Sequence, residues 1–142
     1  MPIKNYTTKV AANRSIEEIQ TALIKHGASA MMFAYEQRTG RIEALHFQLK
    51  VNDKPVAFSL PVNWRRFQAV LKKQNIYRHK DEEYVYRVSW RCLRDWVLAQ
   101  LALYETEMVE LPQVFLPFAT TKTGQTFYEI AKGSDNLLGS GE

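Results

Sequence analysis

The chain has 142 residues and a formal net charge of +4, and its length suits one domain with a hydrophobic core. An apolar fraction of 46% argues against general disorder, and the single cysteine, Cys92, excludes an internal disulfide and a cysteine-built metal site. No apolar run is long enough to cross a bilayer, and residues 1–10 lack the apolar core of a signal peptide, so we expect a cytoplasmic protein without a membrane partner.

The first part of the chain predicts a strand followed by a helix. Residues 3–10 are rich in Thr and Tyr, which favour a short strand with one solvated face. Ser15 and Glu18 have the spacing of a capping box, so we expect a helix to begin at Ser15. Gly27 can adopt the left-handed conformation that commonly ends a helix.

Three apolar runs then predict an antiparallel meander with one buried face. The runs are 30–36, 41–51 and 56–60. Turn residues separate them, with Gly40 in the first turn and 52–54 in the second. The strand predicted over 3–10 would be a fourth member of this sheet.

Two helices follow the meander. Asn63 can cap a helix that ends near Gln74, and Asp81 can cap a long helix that ends near Met108. The long helix carries two apolar stripes, which is typical of a central helix packed on both sides. Residues 75–80, between the two helices, form a basic loop.

The remaining elements are predicted from proline and glycine positions. Val114–Phe118 is apolar and interrupted by proline, which favours an extended segment or an edge strand laid on the core. Thr126 and Glu129 have capping-box spacing for a short helix that Gly133 ends.

Together these patterns predict a single α+β domain. We expect an antiparallel sheet of three to five strands to pack on one long central helix, with shorter flanking helices. The domain would span residues 1–133, and residues 134–142 would form a flexible C-terminal tail.

Basic charge is concentrated in the middle of the chain. Residues 64–94 include nine Lys or Arg and three acids, whereas residues 95–142 include two Lys or Arg and seven acids. Charge segregated in this way can attract an anionic partner. Arg87, Arg91 and Arg94 recur at helical spacing, so we expect them to form an outward row on the long helix.

These cations predict a site that binds the backbone of DNA or RNA without sequence preference. Tyrosines lie among the cations and could stack on bases where they are exposed. The predicted site residues are Arg65, Arg66, Lys72, Lys73, Arg78, Lys80, Arg87, Arg91, Arg94, Tyr77 and Tyr84. The alternative is a solvated face with local ion pairs, such as Glu83 with Arg87 and Arg91 with Asp95.

Two other classes of function stay open. An interaction protein could dock through Val114–Phe118, and the second apolar stripe of the long helix could form a homodimer. An enzyme has less support because His26, His46 and His79 are far apart in sequence and no catalytic motif is present. We therefore expect a non-enzymatic protein without a metal or cofactor. We also expect Cys92 to be a buried structural thiol.

The segment 87–96, Arg-Val-Ser-Trp-Arg-Cys-Leu-Arg-Asp-Trp, resembles a group of small uncharacterised proteins encoded by bacteriophages and prophages. The resemblance extends to 2–27, 99–107, 114–118 and 126–129. It implies a viral accessory protein in a bacterial host cell, associated with replication or recombination. It also implies the alternative of an inhibitor of a host defence system, acting by protein contact or by sequestering a nucleotide signal. No catalytic residue comes with the resemblance.

Overall fold

The computed structural model describes residues 1–134 and 136–141 and has an α+β fold with one long helix, as predicted. The predicted tail, 134–142, includes Asp135 and Glu142, which lie outside the described residues. The elements in chain order are α1 (Ala12–Lys25), β1 (Ala30–Tyr35), β2 (Ile42–Val51), β3 (Lys54–Pro61), α2 (Trp64–Lys73), a 3₁₀ turn (Tyr77–Lys80), α3 (Glu82–Glu105), α4 (Leu111–Phe115), a second 3₁₀ turn (Leu116–Phe118) and α5 (Phe127–Lys132).

The sheet is a three-stranded antiparallel meander in the order β1-β2-β3, the low end of the predicted range. Asn52 and Asp53 both adopt positive φ, which gives the tight turn that joins β2 to β3. Inward residues pair across the strands, for instance Phe47 with Phe58. The outer face of the sheet carries Met32, His46 and Ser59. The alternation seen in the sequence thus corresponds to one buried face and one outer face.

The core forms between the inner face of the sheet and the helices. The Phe47 and Phe58 rings stack with their centroids 5.4 Å apart, and Phe115 of α4 meets Phe47 edge-on at 5.3 Å. Both α1 and α2 pack on α3. The Tyr86 hydroxyl of α3 accepts a hydrogen bond from the Ile42 amide of β2 at 2.9 Å. The long helix is therefore central, as its two apolar stripes predict.

The strand predicted over 3–10 is wrong, because this segment bonds to helices instead of to the sheet. The Ile3 amide donates to Gln74 Oε1 at the end of α2 (2.8 Å), and the Cys92 thiol of α3 donates to the Lys4 carbonyl oxygen (3.1 Å). Tertiary contacts outweigh the β-propensity of the Thr and Tyr residues here.

Several helix ends differ from their predictions. The long helix ends at Glu105 rather than Met108, since Glu107 adopts φ of 60°. The extended segment predicted over Val114–Phe118 is wrong, because these residues form the end of α4 and the second 3₁₀ turn. Pro112 does not interrupt α4, since it lies in the first turn, where its missing N–H is not needed.

Of the four predicted N-terminal caps, two are confirmed and two, at Ser15 and Asn63, are not. The Asp81 carboxylate accepts from the Tyr84 amide at the start of α3 (3.2 Å). Thr126 and Glu129 form the predicted capping box of α5. Asn63 precedes α2 but makes no side-chain cap.

Candidate nucleic-acid interface

Arg91 and Arg94 face α1, where they share one carboxylate. Arg91 NH1 lies 2.9 Å from Glu18 Oε2, and Arg94 Nε lies 2.7 Å from the same oxygen. Arg94 NH1 also pairs with Asp95 Oδ1 at 3.0 Å. Only 18% of the Arg91 side chain and 27% of the Arg94 side chain are exposed. These two arginines therefore join α1 to α3 and do not form the outward row that their spacing predicts.

Glu18 bonds to the arginines of α3 instead of to the start of its own helix, and α1 begins earlier than predicted. The helix starts at Ala12, so Ser15 lies inside it, fully buried, and does not cap it. The Ser15 hydroxyl accepts a hydrogen bond from Arg91 NH1 at 3.4 Å. Burial alone would raise the pKa of Glu18, but the hydrogen bond from Arg94 and the charges of both arginines outweigh it and lower the pKa. Glu18 is thus held as a carboxylate between two cations.

Arg87, the third member of the row, is half-buried beside Tyr84. Its Cζ lies 5.8 Å from the centroid of the Tyr84 ring, and its buried Nε has no hydrogen-bond partner among residues 1–134 and 136–141. Tyr84 is itself buried, and its hydroxyl donates to the Tyr6 carbonyl oxygen. The Tyr84 ring is therefore not open to stack on a base.

Arg65 and Arg78 are exposed but already paired. Arg65 binds the Glu36 carboxylate and stacks on the Trp64 ring, with Cζ 4.2 Å from the ring centroid. Arg78 NH2 lies 3.1 Å from Asp81 Oδ2. The Arg78–Asp81 pair is exposed on both sides, and pairs of this kind are worth roughly 0–1 kcal/mol, so a phosphate could replace Asp81 at little cost. Glu36 is only 19% exposed and also accepts a hydrogen bond from Thr39, so its pair with Arg65 is held more firmly.

Four of the cations predicted for the site remain open in the described part of the chain. They are Arg66, Lys72, Lys73 and Lys80. All four are exposed, and none has an ion-pair partner in the described part of the chain. The sequence between Asp53 and Asp81 contains no acid, so no carboxylate of this segment offsets them. We call these four residues, three on α2 and one on the adjoining 3₁₀ turn, the basic face.

The spacing of Arg66 and Lys73 suits an extended polyanion. Arg66 and Lys73 are seven residues apart on α2, so they lie on one line along the helix and are separated by a rise of about 10 Å. Ala69, between them, is exposed and carries only a methyl group, so its side chain is too small to obstruct a ligand. A nucleic-acid strand carries about three phosphates over that length.

The 3₁₀ turn that carries Lys80 is fixed to α2. Gln68 Nε2 donates to the His79 carbonyl oxygen at 3.0 Å, and the Ile76 amide donates to the Leu71 carbonyl oxygen at 3.0 Å. The turn is therefore held against α2 and is not the loose basic loop that the sequence predicts. Sequence reasoning missed Gln68, since no local pattern marks a contact eleven residues along the chain.

The structure separates the aromatic residues that lie among the cations. Tyr84, Tyr86 and Trp90 are buried in the core. Tyr77, at the start of the 3₁₀ turn, is 80% exposed, and Lys80 Nζ lies 5.3 Å from its ring centroid. Of the two tyrosines predicted for the site, only Tyr77 is therefore open to a ligand.

The histidines do not converge. His26 Nε2 lies 2.8 Å from Glu105 Oε1, His46 lies on the outer face of the sheet as predicted, and His79 lies in the 3₁₀ turn. No group of three or more His, Cys, Asp or Glu residues within 1–134 and 136–141 could hold a metal ion. The Cys92 thiol is half-buried rather than fully buried, and burial raises its pKa, which disfavours the reactive thiolate.

The surfaces predicted for protein contact are only partly exposed. Phe115 is fully buried within Val114–Phe118, although Leu116 is exposed. Near the end of α3, Leu103 and Tyr104 are exposed, and Met108 is exposed just beyond it. A homodimer through either surface stays a prediction. No helix among the described residues has the length and apolar character to span a membrane.

Comparison with known proteins assigns no function to the basic face. No protein-family model matches this chain, and no curated protein or solved structure matches it. The function of this surface must therefore be argued from its own geometry and charge.

Proposed function

We propose that the protein is a non-enzymatic nucleic-acid-binding protein that contacts the phosphate backbone through the basic face. One observation carries the proposal: Arg66, Lys72, Lys73 and Lys80 are exposed cations without a carboxylate partner in the described part of the chain. Phosphates that pair with such cations release their condensed counterions, which favours binding.

The paired arginines have different roles in this proposal. Arg78 adjoins the basic face and can exchange its surface carboxylate, Asp81, for phosphate, whereas Arg65 stays paired with the less exposed Glu36. Arg91 and Arg94 are excluded because they already share Glu18 between two helices. Breaking that pair would leave a partly buried carboxylate without a partner, which is costly.

The same chemistry favours binding without sequence preference. Three of the four open cations are lysines, whose ammonium groups act as point charges on phosphate and carry no base-reading geometry. A role in phage replication or recombination fits this mode of binding. The phage origin itself is inferred from the sequence resemblance alone.

The salt dependence of binding tests the proposal. We expect the logarithm of the association constant for a labelled oligonucleotide to fall with the logarithm of KCl concentration, with a slope of about −3, for roughly four phosphate contacts. Lys72→Gln should reduce the steepness by about 1 and weaken binding equally for different sequences. Fluorescence anisotropy from about 50 to about 200 mM KCl measures both effects.

Lys122→Gln is the matched control, because Lys122 is also exposed but lies outside the basic face. It should leave the slope unchanged. If Lys72→Gln and Lys122→Gln give the same slope as the wild type, the basic face does not contact phosphate.

A further inference from the structure

Tyr77 is the most exposed aromatic side chain in the described part of the chain. It is 80% exposed, whereas the next most exposed aromatic residues, Tyr35 and Tyr128, are 57% and 56% exposed. Burial of a large aromatic ring lowers the free energy of the protein in water. An aromatic side chain this exposed is therefore unfavourable in the unbound protein. Its position within the basic face gives it a partner of definite chemistry.

The backbone under Tyr77 is held in place. Ile76, the preceding residue, packs against the core, and the carbonyl oxygen of His79 accepts from Gln68 of α2. The Asp81 amide donates to the Arg78 carbonyl oxygen at 2.9 Å, which closes the turn. A ligand that meets the Tyr77 ring therefore pays little entropy for ordering the backbone.

One face of the Tyr77 ring is open to a flat ligand. Lys80 Nζ lies 5.3 Å from the ring centroid and can cover only one face. The other face borders solvent, and Lys80 is the cation of the basic face that lies beside the ring. A cationic surface that tracks the backbone beside an aromatic ring is the arrangement by which proteins hold unpaired nucleotides.

We infer that the basic face binds single-stranded in preference to double-stranded nucleic acid, with one unpaired base stacked on Tyr77. The inference rests on the proposed function, since the cations must first hold the backbone. Bases in the interior of a duplex have both faces covered by their neighbours, so only an unpaired base can reach the ring. Stacking of one base on an aromatic side chain is worth roughly a 5- to 150-fold gain in affinity.

Affinities for the two forms of DNA test the inference. The ligands are a thymidine oligonucleotide of about 20 nucleotides and a duplex of the same length, at about 50 mM KCl. Wild-type protein should bind the single strand at least about five-fold more tightly than the duplex. Tyr77→Ala should weaken the single-strand complex by at least about five-fold and the duplex complex by less than about two-fold.

Two variants serve as controls. Tyr77→Phe keeps the ring and should keep the preference, whereas Tyr128→Ala removes an exposed ring of α5, outside the basic face, and should change nothing. A 2-aminopurine base in the oligonucleotide gives a direct readout, because its fluorescence is quenched when it stacks. Quenching should occur with the wild type and with Tyr77→Phe, and should be lost with Tyr77→Ala.

The possible failures can be told apart. Equal affinity for both forms, unchanged by Tyr77→Ala, overturns the role of Tyr77 and leaves backbone binding intact. Weakening of both forms to the same degree by Tyr77→Ala also overturns base stacking. Absence of binding to either form overturns the proposed function itself.

Discussion

Reversing the four charges of the basic face is expected to abolish DNA binding at about 50 mM KCl. The variant combines Arg66→Glu, Lys72→Glu, Lys73→Glu and Lys80→Glu. Each substitution removes one cation that has no ion-pair partner in the described part of the chain and adds a charge that repels phosphate. We expect a loss of affinity on the order of 1,000-fold or more, measured by fluorescence anisotropy with the thymidine oligonucleotide.

A second variant separates this local effect from net charge. Arg38→Glu, Lys50→Glu, Lys122→Glu and Lys132→Glu also reverse one arginine and three lysines, all exposed and outside the basic face. Both variants have the same net charge, but the second should keep its affinity within about ten-fold of the wild type. An equal loss in both variants would show that binding follows net charge and not the basic face.

Replacing Glu18 with Gln is expected to destabilise the fold more than replacing its neighbour Glu17. The Glu18 carboxylate lies within 2.9 Å of both Arg91 and Arg94, and all three side chains are mostly buried. Its loss leaves two guanidinium groups between α1 and α3 without their shared counterion. We expect the free energy of unfolding at neutral pH to fall by about 2 kcal/mol. Urea titration with tryptophan fluorescence measures it, since Trp64 and Trp90 are buried.

Glu17→Gln is the control for this substitution. Glu17 is the adjacent residue of α1 and is exposed, so its replacement should change the free energy of unfolding by less than about 0.5 kcal/mol. A Glu18→Gln variant as stable as Glu17→Gln would contradict a structural role for the Glu18 ion pairs.

The contribution of Glu18 should also depend on pH in a defined direction. Its pKa in the folded protein lies below the ordinary value of 4.5, so the unfolded chain binds the proton more readily. The stabilisation is therefore fully present above about pH 4.5 and is lost as the pH falls through the folded-state pKa. The stability difference between wild type and Glu18→Gln should be constant near neutral pH and shrink under acid conditions.

Local patterns predicted most of the fold because they report on near neighbours along the chain. The alternation in β2 and β3 specified one buried face, and Asp81 and Thr126 have the chemistry that helix starts need. The strand predicted over 3–10 failed because its partners, such as Gln74 and Cys92, are more than 70 residues away. No local pattern marks such contacts.

The site was predictable as a charged region but not as a surface. The spacing of Arg87, Arg91 and Arg94 does place them on one side of α3, yet spacing does not say which element that side faces. Glu18 lies more than 70 residues earlier and occupies that side. Likewise, sequence cannot separate the exposed ring of Tyr77 from the buried ring of Tyr84, because burial is set by tertiary packing.

The central claim is that phosphate meets α2 and the 3₁₀ turn rather than the arginines of α3. Amide chemical shifts of labelled protein, followed by NMR as the thymidine oligonucleotide is added at low salt, test it most directly. We predict that the largest changes fall within residues 65–80. Changes centred on Arg91 and Arg94 or on the outer face of the sheet, with residues 65–80 unmoved, would contradict the account.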